Sequence, residues 1–246
     1  MSFRHVFQKY IDNADACLDL LLYKDENVLI IKDGFPKALR HYLIIPKSPD
    51  KTQIHPLLVF QKDPQFYKMI EEYVTKTKKL IMDDLFAAGL LKFDKTDTLA
   101  THEFMNRFIK AGVHSIPSLS NLHIHIITQD FYSSRLKHKK HYNSFTTEFF
   151  VEFYRLEPPQ TDLEDQMGYG YDSSSSQNTD DGPYPTQSIS VRHEMDPLKL
   201  QNVISKSPLK CTYCGATFAN RFVHLKKHLQ EEFVKKFAVA PEDTNS

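Results

Sequence analysis

Phe3, Val6, Phe7, Tyr10 and Ile11 recur at the three-and-four spacing of a helix face, which predicts an amphipathic helix at the start of the chain, ending near Asn13. Beyond it the pattern changes to alternating or solidly apolar runs. Residues 17–23 and 28–32, separated by Lys24-Asp25-Glu26-Asn27, predict a hairpin, and residues 39–46 a third strand after the turn Asp33-Gly34-Phe35-Pro36. Asp63 followed by Pro64 is a helix start, and Phe66, Met69, Ile70, Tyr73, Val74, Leu80, Ile81 and Leu85 carry one apolar face to a stop at Gly89. Residues 104–111 and 122–128 predict two more strands, joined through Gly112-Val113-His114-Ser115-Ile116-Pro117-Ser118. About five strands with flanking helices make an α+β domain on an antiparallel sheet.

Composition divides the chain. Between Pro158 and about Gln187 it turns to Asp, Ser, Gly, Pro and Gln, with the run Ser173-Ser174-Ser175-Ser176, and reads as a disordered linker. The expected organisation is a catalytic domain over 1–157, a linker over 158–187 and a small module over 188–246, too small to hold a large core without a metal staple. The formal net charge is zero. That average hides an asymmetry, because Asp162, Glu164, Asp165, Asp172, Asp180 and Asp181 fall in the linker without a single Lys or Arg, leaving the rest net basic. Cations gather at Arg135, Lys137, Lys139 and Lys140, beside His141, and again from Lys206 to Lys227. A short charge run is usually solvated surface, but two of them suit a polyanion. No apolar run approaches the ~20 residues of a membrane span, and the first residues lack a secretory apolar stretch, so an intracellular protein without a membrane partner is expected.

The segment Asn121-Leu122-His123-Ile124-His125-Ile126-Ile127 alternates polar with apolar, so a strand puts His123 and His125 on one face. Neutral imidazole is a nucleophile near physiological pH, and a neighbouring ring can exchange hydrogen bonds as charge develops. His114, one short loop earlier, is a candidate to protonate a leaving oxygen. Two satisfied surface histidines, or a zinc-binding H-x-H, are the competing readings.

Cys211-Thr212-Tyr213-Cys214 begins a second constellation, the knuckle of a zinc finger. Closing it with His224 and His228 leaves nine residues after Cys214, whereas His228 and Glu232 leave thirteen and keep the same helical offset. The ligand set expected is Cys211, Cys214, His228 and Glu232 around a structural Zn²⁺, with His224 in reserve.

The stretch from Gly112 to Phe145 resembles the aprataxin branch of the histidine-triad superfamily, through His114-Ser115-Ile116-Pro117-Ser118-Leu119-Ser120, the histidine strand, Gln129-Asp130-Phe131 and Lys139-Lys140-His141-Tyr142-Asn143-Ser144-Phe145. Lys32 through Ala38 and Ile45-Pro46-Lys47 are similar to the superfamily's nucleotide-binding hairpin, and Leu225-Lys226-Lys227-His228-Leu229 to the branch's finger, some fungal members of which use Glu as fourth ligand. The resemblance implies a histidine-triad fold with an appended finger, and hydrolysis of 5′-adenylated DNA. In that scheme His123 attacks the AMP phosphorus, His125 binds the phosphate oxygens and His114 serves the departing 5′-phosphate. It also implies that Asp33 holds the ribose hydroxyls and that Lys37 and Ser118 suit phosphate contact. Asn121 departs from the pattern, standing where members commonly have a histidine that orients its neighbours.

Partners are then adenylated DNA ends or nicks, RNA–DNA junctions included, gripped by the finger and by Arg135, Lys137, Lys139, Lys140 and His141, with Phe3 or Phe7 wedged on the terminal base pair. A nuclear location follows from that substrate, the cytoplasm staying open. A hydrolase of dinucleoside polyphosphates or AMP-lysine, and a non-catalytic nucleic-acid adaptor, are the alternatives.

Overall fold

A computed structural model describes residues 3–61, 63–159 and 193–237, the side chain of Phe3 excepted. The expected linker therefore lies outside the described residues from position 160 onward. The elements run α1 (Val6–Asp12), β1 (Leu21–Lys24), β2 (Val28–Lys32), β3 (His41–Pro46), α2 (Pro64–Ala87), α3 (Thr98–Phe108), β4 (Ile109–His114), β5 (Ile124–Thr128), α4 (Lys139–Thr146), β6 (Phe150–Glu152), α5 (Pro197–Lys206) and α6 (Phe222–Lys236).

Six strands form one sheet in the order β1-β2-β3-β5-β4-β6, every neighbouring pair antiparallel. The sixth, β6, is only three residues long and carries no periodic signal of its own. Gly112 is what lets it dock: a Cβ there would lie 2.4 Å from the Val151 carbonyl oxygen and 2.7 Å from the Phe150 ring.

Capping explains where the helices begin. The Asp63 carboxylate accepts from Phe66 N at 2.9 Å with Pro64 in the first turn, and Asp97 does the same for Ala100 N at 2.9 Å. That second cap overturns the strand expected over 104–111. Residues up to Phe108 are helical, Phe104 and Phe108 meet at a tilt four residues apart toward the core, and the strand starts at Ile109. Segment 17–23 shortens similarly, because Asn13 caps a tight 3₁₀ turn over Ala14–Cys17 and the strand begins at Leu21.

Strand alternation separates two faces. Val28, Ile30, Tyr42, Ile44, Val113, Ile124 and Ile126 point to the core built on α2. On the opposite face Leu29, Ile31, Leu43 and Ile45 pack under Phe7 of α1, while Ile127 and Phe150 pack under Tyr142 and Phe145 of α4. The cleft between α1 and α4 has β3, β5 and β4 as its floor. Residues 193–237 pack onto the rest of the chain: Leu209, Cys211, Leu225 and Leu229 share the α4 cluster, and Phe233 and Phe237 join the main core beside Phe104 and Phe108.

Candidate active site

Register brings four histidines to the cleft floor. His125 pairs with Leu43 of β3 and Gly112 of β4, and His41 pairs with Ile127, so positions 41, 114, 123 and 125 all fall on the face opposite the α2 core. His114, His123 and His125 were legible in the sequence. His41 was not, although a lone histidine opening the apolar strand His41–Pro46 is the sort of buried polar residue that signals a site.

Hydrogen bonds assign three of the four rings a tautomer. His123 Nδ1 lies 2.8 Å from the Asn121 carbonyl oxygen, so it carries the proton and leaves Nε2 with a free lone pair. The backbone N–H of Lys37 donates to His41 Nδ1 at 3.3 Å, so His41 holds its proton on Nε2 and donates it to His125 Nδ1 at 2.9 Å. His125 is thereby left with Nε2–H aimed away from His41. That atom and His114 Nε2 are both buried without a protein partner, a costly state that a bound anion relieves.

Burial is the largest influence on all four rings. It holds His41 down to about 4 and His114 to about 3, and lowers His123 and His125 as well. Neighbouring imidazoles and Lys37 push His114 and His125 further down, while Asp33 opposes the shift at His41 and His123. The rings are neutral at physiological pH, as a nitrogen nucleophile requires. Asp33, His41 and His125 are also close enough to share a cation. The 2.9 Å contact between the two imidazoles, ordered by the Lys37 N–H, instead makes them a proton-sharing pair.

The cleft encloses about 670 Å³, within the range of a nucleotide site. Asp33, Lys37 and Ser118 line it as expected. α1 supplies Phe7 and Tyr10, and the opposite wall supplies Arg135, Lys137, Lys140 and His141. Lys37 donates to the Phe35 carbonyl and is held below its ordinary value, first by burial and then by Arg135, with Asp33 opposing. Phe7 is 5% exposed and meets the His123 ring edge-on at 5.2 Å, so it is a wall of the pocket rather than a protruding wedge.

Two other expectations change. Asn121 does not line the cleft: its amide turns away, donating to Gln8 Oε1 at 3.0 Å and Thr52 Oγ1 at 3.2 Å, and only its carbonyl serves the site. Lys139 points to Asn220 of the C-terminal unit, outside the cleft lining. Sequence reading also missed Phe145 and Ser144 of α4 and Gln201 and Ile204 of α5, all of which border the cleft.

In the C-terminal unit, Cys211, Cys214 and His228 bring their ligand atoms within 4.8 Å of one another, with Cys214 Sγ 3.2 Å from His228 Nε2. A thiolate-and-imidazole donor set at that spacing suits tetrahedral zinc. Gly215, at φ +75°, turns the chain after the knuckle so that its N–H bonds the Cys211 carbonyl. Glu232 and His224 both lie outside that cluster: Glu232 sits one turn after His228 with its side chain only 17% exposed and paired to Lys235 at 2.8 Å, and His224 is exposed.

An unprotonated imidazole nitrogen facing a nucleotide-sized cleft, with two orphaned ring nitrogens beside it, defines a nucleotide hydrolase of the histidine-triad type. The chain belongs to the aprataxin family: it is 33% identical over 250 residues to an aprataxin-like protein of Saccharomyces cerevisiae, an alignment covering 96% of this chain and 99% of that one. It is 31% identical to the aprataxin-like protein of Schizosaccharomyces pombe over 94% of this chain and 82% of the relative. A crystal structure of the aprataxin ortholog Hnt3 in complex with DNA superposes with a TM-score of 0.66 at 29% identity, covering 95% of this chain and 96% of that one. Residues 4–141 match the family model described as scavenger mRNA decapping enzyme C-term binding, and residues 146–235 the C2HE / C2H2 / C2HC zinc-binding finger. The finger binds zinc.

Proposed function

We propose that this chain is a DNA 5′-adenylate hydrolase, removing AMP from abortive ligation intermediates at nicks, ends and RNA–DNA junctions. The observation that carries the reading is the tautomer assignment, in which His123 Nε2 presents a lone pair beside the donor that His125 presents. His123 Nε2 attacks the AMP phosphorus, an N–P bond forms, and the P–O bond to the DNA breaks with its electron pair leaving on the 5′-phosphate. His125 Nε2–H meets the charge building on the phosphoryl oxygens. Water then attacks the adenylyl-histidine and releases AMP.

His114 is neutral in the free protein, and its surroundings say how it acquires a proton. The Ser144 backbone favours the charged ring, and the substrate's phosphates add negative charge beside it. Charged in the complex, it donates to the departing 5′-phosphate and takes the proton back from the attacking water. Asp33 holds the ribose, and Lys37 and Ser118 hold phosphate oxygens.

DNA as the carrier of the AMP is supported by the family, by the Hnt3 relative solved with DNA, and by the cationic wall at Arg135, Lys137 and Lys140. Nuclear residence is part of the proposal and is checked by imaging a fluorescent fusion. Glu232 completes the zinc set with Cys211, Cys214 and His228. Zinc content of Glu232→Ala and His224→Ala proteins tests this, loss confined to the His224 variant excluding Glu232. The function itself is tested by AMP release from 5′-adenylated nicked DNA: turnover is expected, and hydrolysis of AMP-lysine without any action on the DNA contradicts it.

A further inference from the structure

The C-terminal unit reaches the histidines through one short helix. Asn143, buried in α4, donates from its amide to the carbonyls of Ile204 at 3.1 Å and Ser207 at 3.0 Å, gripping the end of α5. The neighbouring Tyr142 hydroxyl donates to the Lys210 carbonyl at 2.7 Å, at the base of the zinc knuckle. Two residues beyond Asn143, the Phe145 ring lies against His114, His41 and His125, with centroids 4.6, 5.2 and 5.3 Å away. The knuckle also holds the residue that follows β5, through Thr212 Oγ1 to the Gln129 carbonyl at 2.8 Å, and the nucleophile directly precedes that strand.

A helix of eight residues has little stability of its own, so what it docks against fixes its position. One side of α4 docks on the C-terminal unit and the other on three of the four imidazoles. Whatever shifts Asn143 shifts Phe145 with it, and hence the angle at which His114 and His125 face the cleft. Ser144 and Lys140, on the same helix, move along the cleft wall.

We propose that Asn143 and Tyr142 are positioning residues for hydrolysis: through them the C-terminal unit sets the histidine geometry, in addition to any grip it has on DNA. The proposal rests on the hydrolase reading above. A displacement of about 1 Å in a reacting group costs on the order of a hundredfold in rate, so loosening this helix acts on turnover rather than affinity.

The test uses the full chain and saturating 5′-adenylated nicked DNA, with DNA affinity measured separately and each variant assayed where circular dichroism shows it folded. Asn143→Ala is expected to lower kcat by about 10–100-fold with DNA affinity within about twofold of wild type. Tyr142→Phe keeps the ring and removes one hydrogen bond, so it carries the test even if Asn143→Ala does not fold; its kcat is expected to fall by about 3–10-fold. Unchanged kcat in Tyr142→Phe and in any folded Asn143→Ala, with only DNA affinity weakened, overturns the proposal and leaves the C-terminal unit a DNA grip alone. Wild-type protein that releases no AMP overturns the hydrolase reading itself, and this inference with it.

Discussion

The two walls of the cleft are built by different means. The α1 wall is apolar and anchored within the N-terminal domain: Phe7 packs on Leu43 and Ile45, Gln8 accepts from Asn121, and the Ser120 N–H bonds the Arg4 carbonyl at 2.9 Å. The α4 wall is cationic and anchored from a distance, by residues 204–212 of the C-terminal unit. A dry wall beside the nucleophile suits a nucleoside, whereas a charged wall continuous with a zinc finger suits the rest of a polyanion. One fold thereby separates the chemistry every histidine-triad hydrolase shares from the substrate that distinguishes this one.

The sharpest way to break that contrast is to remove what both walls enclose. His123→Ala is expected to abolish AMP release, a loss of at least about a thousandfold by timed chromatography of released AMP, without unfolding. His41→Ala comes next. It cuts the proton order that gives His125 its outward N–H, so kcat is expected to drop about a hundredfold with little change in DNA affinity. If His41→Ala keeps wild-type kcat, the tautomer chain has no catalytic part.

Acid should act through the floor rather than either wall. Below about pH 6.5 the unfolded chain takes up protons that the buried rings refuse, so stability falls as pH drops toward 4. His41 alone, held at about 4, removes about 3 kcal/mol by the end of that window, which urea titrations at pH 7 and pH 4.5 will detect in part. Activity of the protein that remains folded should fall off at a lower pH than for a free imidazole, because burial holds His123 below its ordinary value. The smallest effect is on the charged wall. The pair Lys137→Ala and Lys140→Ala should make the dependence of DNA binding on salt shallower by about 1–2 in log–log slope, with kcat on AMP-lysine unmoved.

What the sequence made legible follows the range of the interactions involved. The Asp63 cap, the α2 stripe, the β2 strand and the pairing of His123 with His125 are local, and local periodicity reports them. His41 stayed hidden because it reaches His125 across 84 residues of chain, and no spacing rule links a single histidine on β3 to one on β5. β6 depends on Gly112 allowing close approach, a property of the partner strand. Over α3, Phe104 and Phe108 fit a buried strand as well as a helix face, and it is the Asp97 cap that decides for the helix. The docking of residues 193–237 is encoded by contacts between distant parts of the chain, such as Asn143 with Ser207, which a reading by segments cannot assemble.

The central claim is that His123 Nε2 becomes bonded to phosphorus. Brief reaction with 5′-adenylated nicked DNA, quenching and peptide mass spectrometry should find an acid-labile AMP adduct on His123, absent from His123→Ala. AMP release at the full rate with no adduct at that residue, or an adduct on a different side chain, contradicts the account.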